Sequence, residues 1–235
     1  NKDAGARIKR HAPVPEDIDP RSVWTVLHGL DKRTGEVLWT GSAGTVCHNA
    51  PVMGRTKDGT PGIVHGRGGG HGPLEKPYGL SLTSLAAGAE GKVLWSTELK
   101  GLDPAWQCHW TSNRVVAFQN QDHVTLNPAD GEELNRRSLV KDVTLHAMTG
   151  EGWTKQEHVD YPVGKKKPNT NQTNILAGKW HYFLAHDRIA IGRVHIEDGR
   201  VEYLEVPVQV SALPGRPTTW IRNAKQAVPL ETLNS

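Results

Sequence analysis

From residue 24 onward the chain alternates short apolar runs with turn residues, and each run has the length and bounding residues of a strand. Residues 24–30 (WTVLHGL) read as a strand, 31–35 (DKRTG) as a tight turn and 36–39 (EVLW) as the returning strand. Asp favours the start of such a turn and Gly supplies the positive φ at its end, so a β-hairpin is expected. A second group opens at Ala50-Pro51-Val52-Met53, with its Pro near the strand start, where a missing amide is tolerated. Residues 62–65, 78–85 and 92–95 complete that group, and the alternation of Leu with small polar residues in 78–85 predicts a half-buried strand. A third, more compact group comprises 113–118, 123–126, a turn at 127–131 and 132–134; a fourth comprises 174–177, 180–184, 188–196, a turn at 197–199 and 200–206.

The turn signals Thr34-Gly35, Glu90-Gly91, Asp130-Gly131 and Asp198-Gly199 hold one position in the four groups, 56, 40 and 68 residues apart. The phrase Gly35-Glu36-Val37-Leu38-Trp39 returns as Gly91-Lys92-Val93-Leu94-Trp95. A core unit of about 40 residues with four short strands marks a propeller blade. The expected fold class is therefore all-β: a β-propeller of four-stranded antiparallel blades, about four of them visible. A sandwich gives no reason for a repeated turn-to-Trp ending. A parallel α/β fold needs helical patterns between strands, and only residues 220–235 hint at one. Residues 1–20, with Pro13, Pro15 and Pro20, read as a lead-in; 21–210 as blades; and 211–235 as a tail or the start of a further blade.

Residues 30–39 (LDKRTGEVLW) closely resemble the repeat of the quinoprotein-like (PQQ-like) β-propellers, with its Asp, Thr-Gly turn and Val-Leu-Trp ending. Gly91 to Trp95 matches the second half of that repeat, and Ala50-Pro51-Val52 its small-Pro-Val opening; 127–134 and 196–204 are degenerate copies without the Trp. The resemblance implies a ring of about seven or eight blades. These residues are then expected to be part of a larger propeller, completed by further sequence or by a partner chain. It also implies a periplasmic or secreted location. The same repeat builds dehydrogenases, outer-membrane assembly scaffolds and uncharacterised secreted proteins, so it does not choose a function.

Composition agrees with a turn-rich β protein: 25 Gly, 15 Pro and eight Trp to anchor a core whose apolar share is only 36%. The 28 basic and 25 acidic residues are spread along the chain, which leaves no basic footprint for nucleic acid. Lys165-Lys166-Lys167 reads as a solvated loop, and the apolar runs are far too short to span a bilayer.

Candidate chemistry centres on Cys47-His48, just before the second group, and Cys108-His109, just before the third. In a propeller these places fall near one end of the central channel. Thiolate and imidazole suit a zinc or copper site, with His146 as a further ligand because it follows the third group as Cys47 follows the first. A disulfide is a second reading and needs Cα atoms within about 7 Å. The third is that both Cys are small buried hydrophobes. No CxxC or CxxCH spacing supports structural zinc or covalent haem.

The Gly-rich stretch 65–73 contributes His65, Arg67, Gly69 and His71, where bare backbone amides and a guanidinium fork suit a carboxylate, sulfate or phosphate. It lacks the Gly-Lys-Ser/Thr ending of a nucleotide-binding loop, and a tightly packed inter-strand loop is the competing reading. Asn171, within 169–174 (NTNQTN), opens the fourth inner strand, while Trp106 and Trp110 flank Cys108 and either stack on a ligand ring or pack between blades. Two functions follow. The first is a non-catalytic binding or scaffolding propeller with its ligand or partner site at the channel end. The alternative is a quinone- or metal-dependent oxidoreductase, for which the resemblance implies PQQ and calcium at that same end; the adjacent Cys-Cys pair carried by many such alcohol dehydrogenases is missing here.

Overall fold

The computed structural model describes residues 16–17, 26–44, 51–67, 79–99, 108–111, 113–119, 121–149, 151–161, 169–185 and 190–205, with backbone alone at 169–173 and 185. The secondary structure of these residues is entirely β, in 16 strands. The chain divides into two compact units, residues 1–137 and 138–235.

In the first unit β1 (Val26–Leu30) and β2 (Val37–Gly44) form a two-stranded antiparallel sheet. A four-stranded antiparallel meander follows, from β3 (Val52–Arg55) through β4 (Pro61–Arg67) and β5 (Gly79–Ser84) to β6 (Val93–Glu98). A second four-stranded sheet runs β7 (Cys108–Thr111), β8 (Arg114–Gln119), β9 (Asp122–Leu126) and β10 (Glu133–Ser138), again in chain order. These are the strands and groupings expected, with two corrections. The third group opens at Cys108 and not at residue 113, because packing of Cys108 and Trp110 holds a strand whose sequence, Cys-His-Trp-Thr, shows no alternation. And β5 is buried along its whole length instead of half buried. Its Leu80 and Leu82 lie on one face, while on the other Ser81 bonds Ser96 at 2.8 Å and Thr83 bonds His65 at 2.9 Å. Small polar residues tolerate burial when their hydroxyls are satisfied in this way.

The glycine of the repeated turn has one conformation. Gly35, Gly91, Gly131 and Gly199 all have φ between 74° and 78°. In three of the turns the same pair of 2.8 Å bonds closes the loop: Asp31 N to Glu36 O and Gly35 N to Asp31 O, then the equivalents from Asn127 and Gly131 and from His195 and Gly199. Side chains finish the closure, since Asp31 accepts from the amides of Arg33 and Thr34 while Asp130 and Asp198 accept from those of Glu132 and Arg200. Those amides hold the Asp31 carboxyl below the usual carboxylate range, that of Thr34 most strongly.

The Trp that ends each phrase couples one sheet to the next. Trp95, on β6, donates Nε1 to Pro128 O at 2.9 Å and lies over Gly131, where a Cβ would stand 2.6 Å from the ring; Thr97 donates to Gly131 O at 2.6 Å. One repeat earlier, Trp39 on β2 lies against Gly91, and Ser42 N donates to Gly91 O at 3.1 Å. The turn glycine therefore serves twice, supplying the positive φ and leaving room for the aromatic ring of the preceding sheet.

The described strands of the second unit form one six-stranded sheet. Its β13 (Asn169–Ala177), β14 (Trp180–Ala185), β15 (Ala190–His195) and β16 (Val201–Glu205) form the expected fourth meander. Beyond β16 lies a hairpin that the hydrophobic pattern does not announce, β11 (Val143–Thr149) and β12 (Gly152–Val159), with β11 parallel to β16. An edge strand as exposed as β12 needs no apolar face, so Gly-Trp-Thr-Lys-Gln-Glu-His-Val carries no alternation to read. Tyr203 stands four residues after Gly199, where Trp39 and Trp95 stand after Gly35 and Gly91. It is buried, donates its hydroxyl to Leu139 O at 2.6 Å and lies 4.3 Å from the Tyr161 ring. Burial raises the pKa of both phenols.

Candidate functional site

In the first unit the opening strands β3 and β7 are in contact. Trp110 packs on Gly54, where a Cβ would stand 2.7 Å from the indole. Cys108 is a free, buried thiol whose sulfur lies 3.9 Å from Val64 O on β4, and burial pushes its pKa up to about 12. Cys108 and His109 pair with Ala117 and Val116 in unbroken register, so their side chains leave opposite faces of β7. Cys47, His48 and Trp106 lie outside the described residues.

His65 and Arg67 share one face of β4, and Gly69 and His71 lie outside the described residues. His65 is fully buried. Its Nδ1 faces Gly66 O at 3.3 Å and must donate, so Nε2 accepts the Thr83 hydroxyl at 2.9 Å. Desolvation pushes its pKa down to about 4, with Arg67 adding in the same direction, so the ring is neutral near pH 7. His123, on β9, is buried beside Phe118 and is driven by desolvation to about 3.

In the second unit Asn171 lies within an irregular stretch of β13, between Asn169 opposite Leu184 and Asn174 opposite Phe183. Asn174 Oδ1 accepts from Nε2 of the buried His181 at 3.0 Å, which ties the end of this Asn-rich run to β14. His146 is on β11, with Leu204 of β16 and Lys155 of β12 as its register partners, at the other side of the sheet from β13. Its Nε2 lies 4.0 Å from Glu202 Oε2. Glu202 in turn accepts from Arg193 at 2.9 and 2.5 Å, and the Arg193 guanidinium sits 4.0 Å over the Trp180 ring. Sequence reasoning missed this Trp180–Arg193–Glu202 network. Its only signal was an Arg and a Glu placed on either side of the 197–199 turn, on strands expected to pair. Among the described residues, no three His, Cys, Asp or Glu side chains gather closely enough to hold a metal ion. No helix among them is long and apolar enough to cross a membrane.

The sheets and turns define a class, an all-β repeat protein whose four-stranded meanders are those of propeller blades. No family model matches the chain, and no curated protein sequence matches it. Among solved structures it is similar to BamB from Moraxella catarrhalis, at 13% identity and a TM-score of 0.38, over 75% of this chain and 57% of that one. The chain thus spans less than two thirds of the length of that structure.

Proposed function

We propose that the chain is part of a non-catalytic binding or scaffolding β-propeller of the PQQ-like repeat type, with its ligand or partner site at the end of the channel lined by the opening strands. One observation carries this reading. The described groups best suited to reaction, His65 and Cys108, are buried, kept uncharged, and used for internal hydrogen bonding and packing. In the first unit His109, on the opening strand β7, is the residue we take as a candidate for contact with a partner. The two-stranded β1–β2 sheet supports the larger ring. By its turn and its Trp it is the outer half of a blade, and no described strand pairs with the far edge of β1. We take the other half to come from further sequence or a partner chain, and the location to be periplasmic or secreted, as the resemblance implies.

Elemental analysis and a visible spectrum of the purified protein test the catalytic part of this reading. Stoichiometric zinc, copper or calcium, or a quinone chromophore, surviving purification would overturn it. Hydrogen exchange tests the ring: amides on the edge of β1 that no described strand covers are expected to exchange within seconds in the isolated chain and to become protected in the complete assembly. Protection in the isolated chain would show that residues 1–235 fill that edge themselves.

A further inference from the structure

We draw no further inference here: the strongest candidate, the outward face of the six-stranded sheet where Ile175, Ile191 and Leu204 stand exposed beside the Trp180–Arg193 stack, carries none because nothing in the structure shows what covers it.

Discussion

Gly131→Ala and Gly35→Ala make the same chemical change at the same turn position and the same φ of 76°, but in different surroundings. At Gly35 nothing lies within 4 Å of the added Cβ, so Ala meets only the left-handed backbone penalty of about 1 kcal/mol. At Gly131 the Cβ would stand 2.4 Å from Thr97 Oγ1 and 2.6 Å from the Trp95 ring, against a comfortable carbon separation of roughly 3.5–4 Å. The ring must withdraw by about 1 Å, which strains the packing by roughly 1–3 kcal/mol. Withdrawal also weakens the 2.9 Å bond from Trp95 to Pro128 O, worth about 1 kcal/mol. Gly131→Ala is therefore expected to cost about 2–4 kcal/mol more than Gly35→Ala. Urea denaturation followed by Trp fluorescence and far-ultraviolet circular dichroism measures the difference, read from midpoints at unchanged slope. If the two variants lose the same stability within about 0.5 kcal/mol, the Trp does not clamp the next turn and the coupling of successive sheets is wrongly assigned.

Three more outcomes are expected. Tyr203→Phe removes the hydroxyl that satisfies Leu139 O and should cost about 1–3 kcal/mol in the same urea assay; an unchanged midpoint would refute the bond. His65, at about 4 in the fold against an ordinary 6.5, is protonated in the unfolded chain before the folded one. Stability should therefore fall as pH drops from about 6.5 to about 4, by up to about 3 kcal/mol from His65 alone, with His123 acting in the same sense; a flat profile across that window would contradict the buried neutral assignment. Cys108, raised to about 12 and buried, should resist maleimide at pH 8 until urea unfolds the chain, and peptide-level mass spectrometry reporting rapid native labelling of Cys108 would restore it as a reactive or metal-binding thiol.

Local chemistry was enough to read the repeat. Asp31, Thr34 and Gly35 close their turn with bonds to residues at most five positions away, and Gly131 and Gly199 repeat its φ and hydrogen bonds; Gly91 repeats the φ but closes a longer turn on Ser84. Strands such as β8 and β9 were legible because burial imposes apolar residues on them. The hairpin β11–β12 and the strand β7 were not. An exposed edge strand such as β12 and a four-residue strand such as β7 carry no apolar alternation to read, although Trp110 of β7 packs on Gly54 and Cys108 lies 3.9 Å from Val64 O.

The candidate residues divide along the same line. Their identities and approximate places were visible in the sequence, which paired Cys108 with His109 and put His65 beside Arg67. Only the tertiary structure decided what each does: the pleat turns Cys108 and His109 to opposite faces of β7, and desolvation makes a potential base at His65 into a neutral, doubly bonded core group. Composition and spacing determine which residues are near one another along a strand, whereas the direction a side chain takes and the water it loses depend on the sheets packed against it.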